Sequence, residues 1–252
     1  MSVKLESVLH DIRVLELSHG ENTIASRISG MILKRFGASV LKICIENRSG
    51  FIDVTDWHKD TTVIDSHVDN ETIGDLLDRA DVVIYQELPE HLLSTIDKHH
   101  KKSNSFIRCA IPLTDSNSYI VNEDAISALC GLFEMPAGIG KPKPFDFPVA
   151  STYAAFHAVN AIVCGLIADF RFSEMTSIKI PLTTAGTSLQ CLIAMMRSEI
   201  PVSWTPIQWL NSPFMAIWKT ADSKYFYLHA AIPRHLRTFL STLKKAGFSD
   251  QV

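Results

Sequence analysis

Few residues in this 252-residue chain are spaced for recognisable chemistry. The ten histidines form no HExxH or HxH pair, so no metal site is expected. Ser18, Ser151 and Ser188 lie outside any GxSxG elbow, which would aim a serine at an acyl carbonyl. In GIGKPKP (138–144) a proline follows the lysine where a phosphate-binding loop needs Ser or Thr. HGENT (19–23) offers one glycine for close phosphate approach, far short of GxGxxG. His157 sits in an apolar helical run and reads as a satisfied core histidine. HHKK (99–102) reads as a solvated helix end rather than a phosphate patch. From the residues alone the chain has no recognisable active site.

Composition narrows the class. The chain is 46% hydrophobic and 20% charged, enough for a sizeable core, and its formal charge of −3 gives no electrostatic case for nucleic acid or an anionic membrane. Cys44, Cys109, Cys130, Cys164 and Cys191 form no CxxC pair and sit among apolar neighbours, so buried free thiols in a reducing compartment are expected. The first residues, MSVKLESVLHD, have no apolar signal core. The longest apolar run, near 154–168, contains His157 and Asn160 and ends at Asp169, short of the roughly 20 residues of a clean span. A cytoplasmic protein is expected.

Strand and helix patterns alternate over the first 112 residues. IRVLELS (12–18) reads as a buried strand, 22–37 as a helix ending at Gly37, and ASVLKICI (38–45) as a second strand. TTVIDS (61–66), a helix at 70–80 with Asn70 as N-cap, DVVIYQ (81–86), a helix from Pro89 and SFIRCAIP (105–112) continue the series. This order predicts an open, mostly parallel Rossmann-like α/β sheet with helices on both faces. EDAISALCGLFEMPA begins as a short helix with Glu123 and Asp124 as N-terminal acids. A Gly/Pro-rich loop follows, then the long helix of FPVASTYAAFHAVNAIVCGLIA (147–168), for which Ser151 is the expected N-cap. SIKIPLTTAGTSLQCLIAMMRS contains a strand, a turn and another helix. FMAIWKTADSKYFYLHAA (214–231) is a hairpin turning at 221–224, and IPRHLRTFLSTLKKAG is a last helix. The expected division is a large domain at 1–213 and the start of a small α+β domain at 214–252.

These segments, in this order, resemble the class III CoA-transferases, the CaiB/BaiF family, which includes formyl-CoA and carnitine CoA-transferases and α-methylacyl-CoA racemases. LHDIRVLELSH is similar to the family's opening strand, and LKRFGASVLKI to its second unit. The match continues through 58–86, the segment leading into the long helix, and FMAIWKTADSKYFYLHAAIPRH, which looks like the start of the family's small domain. The resemblance implies a carboxylate at the head of the long helix, attacking a CoA thioester to give a mixed anhydride and then an acyl-enzyme thioester. Ser151 stands at that position and cannot form this series.

The departures fall together at the implied CoA site. Asn122 stands where racemase members carry a histidine, and it cannot shuttle a proton at neutral pH. The family's Ala-Gly-Pro near CoA reads ENT (21–23), and its Asn-Phe-Arg-Pro reads YQELP (85–89), which removes an arginine and adds Glu87. The degenerate CoA contacts would be Asn22, Thr23, Tyr85 and Gln86. Asp146, in PFDFP, is the alternative displaced carboxylate. CoA or acyl-CoA is expected to bind weakly, with no other cofactor.

Family members are longer, and their returning chain interlocks two subunits. With that return missing, a partner is expected to cover exposed surface, with Trp204, Trp209 and Trp218 as anchors. The expected function is a catalytically inactive, CoA-transferase-like subunit or scaffold, paired as a homodimer or with an active homologue. The alternatives are an active transferase or isomerase using Asp146, and a small-molecule binder or biosynthetic enzyme that reuses the cleft without CoA.

Overall fold

The computed structural model of the chain describes residues 8–20, 23–45, 54–56, 59–64, 70–103, 106–115, 122–133, 147–172, 177–190, 213–230 and 232–248. They fall into two compact units, one ending at residue 190 and the other covering 213–248.

In the first unit, strands β1 (Arg13–His19), β2 (Ser39–Ile45), β3 (Asp60–Ile64), β4 (Val82–Tyr85), β5 (Ile107–Ala110) and β6 (Ser177–Lys179) form one sheet. Its order is β3-β2-β1-β4-β5-β6 and every pairing is parallel. Both faces are covered, as the near-continuous apolar strands require. Helices α1 (Ile24–Arg35), α4 (Glu123–Leu129), α5 (Val149–Phe172) and α6 (Leu182–Leu189) pack on one face with Val14, Val82, Ile84 and Cys109. On the other face α2 (Asn70–Leu77) and α3 (Glu90–Ser103) cover Leu15, Leu17, Val83 and Tyr85. The doubly covered parallel sheet agrees with the α/β expectation, and Gly37, at φ 103°, ends α1 in the left-handed region where only glycine is at ease. Asn70 is already the first residue of α2 rather than the residue before it.

Polar residues interrupt the core under α1. Glu16 of β1 and Lys42 of β2 are register partners, and both are buried. Lys59 Nζ donates to Glu16 Oε2 at 2.7 Å and to the Arg27 carbonyl at 2.8 Å. Asp56, in a single 3₁₀ turn at Val54–Asp56, accepts from Lys42 at 2.5 Å and Arg27 at 2.9 Å. Burial pushes the Glu16 carboxyl up and the Lys59 ammonium down. Burial also pushes Asp56 up, but the Lys42 bond and charge, with Arg27, outweigh it and hold Asp56 below the usual carboxylate range. Gly30 of α1 makes the cluster possible: a Cβ there would stand 2.1 Å from Glu16 Oε2.

Helix α5 has 24 residues, longer than the apolar run alone indicates. Its stretch Val149–Ala168 is long and apolar enough to cross a membrane by length and composition, and 44% of its apolar window is buried. Ala150, Ala154, Ala158 and Ile162 pack into the core. The opposite side does not, which overturns two expectations: Cys164 is exposed, while Cys44, Cys109 and Cys130 are buried, and His157 is exposed against the Tyr153 ring, 4.8 Å between centroids. A helix apolar all round cannot present every side to one sheet.

The second unit is an antiparallel hairpin, β7 (Met215–Lys219) and β8 (Tyr225–His229), with helix α7 (Pro233–Lys245). The turn places Ser223 at φ 62° and closes with Thr220 N donating to the Lys224 carbonyl at 2.9 Å. Trp218 is 44% exposed, and its indole N–H donates to the Pro213 carbonyl at 3.0 Å. Trp204 and Trp209 lie outside the described residues.

Candidate functional site

Strand order reverses between β1 and β4, so the crevice of this sheet lies at their carboxyl ends. Leu17 pairs with Tyr85, which brings Ser18–His19 of one strand abreast of Gln86–Glu87 after the other. Two helices start here. Each presents backbone N–H groups and a positive dipole end to the crevice.

Both starts are capped by side chains of the chain itself. At α1, Ala25 N donates to Gln86 Oε1 at 3.1 Å; Thr23, the residue before the helix, is buried and makes no side-chain cap. At α5 the capping group is Glu123. Its Oε1 accepts from Ala150 N at 2.8 Å, and its Oε2 accepts from Ser151 N at 3.2 Å and Ser151 Oγ at 2.6 Å. Ser127 Oγ adds a longer contact to Oε1 at 3.4 Å. Between these groups Ile24, Gln86, Leu113, Glu123, Ser151 and Leu182 line a void of about 10 Å³, the size of one water.

Ser151 is therefore not an N-cap. Helix α5 begins at Val149, directly after Pro148, whose carbonyl accepts from Thr152 N at 2.9 Å. Ser151 is the third helical residue, 2% exposed, and its hydroxyl donates to Glu123 instead of capping its own helix. Its first turn carries no acid, so the carboxylate favoured at a helix start arrives from α4. Asn122 caps α4, its Oδ1 accepting from Ala125 N at 2.9 Å. Gln86 belongs to the crevice. Tyr85 points to the other face, where its hydroxyl accepts from Arg108 Nε at 2.5 Å. Asn22 and Asp146 lie outside the described residues.

Glu123 is the residue the sequence pattern under-read. As the first residue of α4 it matches a helix N-terminal acid, and nothing in its local pattern tells that its carboxylate crosses to another helix. Glu87 stands at the rim. Its surroundings bury its carboxyl enough to push it up despite its exposed area, with His19 partly offsetting this.

A sequence model of CoA-transferase family III matches residues 9–252. No curated protein matches the chain by sequence. Among solved structures, a hypothetical protein from Mycobacterium tuberculosis is similar with a TM-score of 0.76 and 18% identity, over 94% of this chain and 69% of that one. A CaiB/BaiF family protein from Brucella suis is similar with a TM-score of 0.68 and 20% identity, over 96% of this chain and 70% of that one. At such identities the structures speak for the fold, and the sequence match gives the family: the chain belongs to CoA-transferase family III.

Proposed function

We propose that the protein is a CoA-transferase-like subunit that does not carry out acyl transfer by itself and pairs with itself or with an active homologue. The observation supporting this reading is the internal occupation of the α5 start. The residue at the nucleophile position is Ser151, and the carboxylate that reaches it, Glu123, accepts from two N–H groups and one hydroxyl. Attack on a thioester would require that carboxylate to give up these bonds, in a void about the size of a water. CoA binding is expected to be weak: each lost charge-assisted phosphate contact costs about 1.5–3 kcal/mol, and two or three of them move a micromolar site toward millimolar. Calorimetry with CoA, and hydroxylamine trapping after incubation with an acyl-CoA, test the reading. Tight CoA binding or a trapped adduct on any carboxylate would overturn it.

A second reading is favoured by one distance, the 2.6 Å between Ser151 Oγ and Glu123 Oε2. It makes Glu123 the displaced nucleophile: a carboxylate oxygen bonds to the thioester carbonyl carbon, the C–S bond breaks, CoA leaves as thiolate and an acyl-glutamyl anhydride remains. A hydroxylamine-sensitive adduct mapped to Glu123 would establish this reading in place of the first.

A further inference from the structure

The chain's formal charge of −3 is unevenly distributed. Residues 213–248 hold six basic side chains, Lys219, Lys224, Arg234, Arg237, Lys244 and Lys245, against one acid, Asp222. Six less one is +5, which leaves −8 for the rest of the chain. Asp222 is already engaged, its carboxylate 3.0 Å from Lys224 Nζ. Helix α7 contains no acid, so its four basic residues have no counter-charge on their own helix.

The same unit exposes apolar surface. On one side of the hairpin Ile217 and Tyr227 are register partners, 70% and 62% exposed, with Lys219 and Tyr225 paired beside them. On the other side Trp218, Phe226 and Leu228 face Phe239, Leu240 and Leu243 of α7 across an open groove of about 520 Å³. No residue of α7 is buried. Leu236, Phe239, Leu240 and Leu243 form one stripe along the helix, and Arg237 and Lys244, seven residues apart and both exposed, border that stripe along one edge.

We propose that the second unit binds the surface of an anionic bilayer, with the groove turned to the acyl region and Arg237, Lys244 and the hairpin lysines among the headgroups. Charge and apolar surface together select this occupant. A nucleic acid or an acidic peptide answers the charge but offers phosphate or carboxylate to Ile217, Phe226 and Leu240. A neutral apolar partner dries the groove but leaves the bases without counter-charge. An anionic bilayer supplies both at one surface, which is how basic amphipathic helices lie in the interface. The rings of Trp218, Tyr225 and Tyr227 have an apolar body and a polar tip, the kind that collects at headgroup depth. The aliphatic stems of Arg237 and Lys244 can lie along the apolar stripe while their charges stay in the headgroups.

Each basic residue near such a surface strengthens binding about fivefold, and the attraction fades within a Debye length, about 8 Å at physiological salt. Binding is therefore reversible, selective for anionic lipid and sensitive to salt. The inference goes beyond acyl transfer and does not rest on the reading of the α5 start.

Flotation of the full chain with phosphatidylcholine vesicles, with and without about one-third phosphatidylserine, tests the proposal. The chain should float with the anionic vesicles, far less with the neutral ones, and be released at about 0.5 M salt, where charges are screened. Arg237→Glu with Lys244→Glu changes exposed side chains, so the circular dichroism should persist while the partition constant falls about 25-fold or more. Tryptophan emission should shift to the blue on adding anionic vesicles, and Trp218→Phe should remove most of that shift. No flotation with anionic vesicles, equal flotation with neutral ones, or binding insensitive to the double charge reversal would overturn the proposal. An undiminished blue shift in Trp218→Phe would also overturn it. So would displacement from the vesicles by a single-stranded oligonucleotide at lower concentration than by phosphatidylserine vesicles of equal charge, which would assign the basic surface to nucleic acid.

Discussion

Ser151 Oγ donates to Glu123 Oε2 at 2.6 Å, across 28 residues of chain and between two helices. Glu123 supplies the negative charge at the start of α5, and Ser151 keeps the helical position and ties the charge down. Both oxygens of Glu123 accept from within the protein, from Ala150 N on one and from Ser151 N and Oγ on the other.

A double-mutant cycle should show this pair as one unit. Glu123→Ala strands two N–H groups and a hydroxyl and is expected to cost about 2–3 kcal/mol, and Ser151→Ala about 1.5 kcal/mol. The double variant should cost less than their sum by about 0.5–1.5 kcal/mol, read from urea midpoints. Strict additivity would show that the two side chains do not act together.

Restoring the family's aspartate alone should harm the fold. In Ser151→Asp a second carboxylate stands about 4 Å from that of Glu123, a repulsion of roughly 2–4 kcal/mol at an effective dielectric near 20. Adding Glu123→Ser should recover most of the loss. An unchanged urea midpoint for Ser151→Asp alone would mean that Glu123 moves aside freely, and the closed crevice would then be easily opened.

Gly30 should tolerate no side chain. A methyl group there would lie 2.1 Å from Glu16 Oε2 and force apart a carboxylate and ammonium that are both fully buried. Gly30→Ala is expected to destabilise by roughly 2–4 kcal/mol. Thermal melting of the variant beside the parent checks this, and equal melting temperatures would contradict it.

Acid sensitivity should track Asp81. Burial pushes its carboxyl up, but hydrogen bonds from the Arg13 side chain and backbone, and the Arg13 charge, outweigh burial and hold it below the usual carboxylate range. A carboxyl depressed in the folded state adds stability above its unfolded value of about 3.9 and loses it as pH falls through the folded value. The melting temperatures of the parent and Asp81→Asn should therefore differ at pH 6 and converge below about pH 4. A constant gap across that range would show that the charge of Asp81 is not what stabilises.

The sequence by itself determined the sheet, because burial on both faces demands near-continuous apolar strands such as VVIY, and because helices of 8–14 residues follow β1, β3 and β4 and call for parallel pairing. It also determined that position 151 lacks a carboxylate. Only the tertiary structure decided what stands there instead. Glu123 reads locally as the first acid of α4, and its reach to Ala150 and Ser151 depends on how α4 and α5 pack, which no residue near 123 encodes. The same holds for Cys164 and His157: periodicity marks α5 as apolar, but a helix apolar on every side does not announce which side meets the core. Packing against α1 and α6 chose the side of Ala150, Ala154, Ala158 and Ile162, and left Phe156, Asn160 and Cys164 to the solvent.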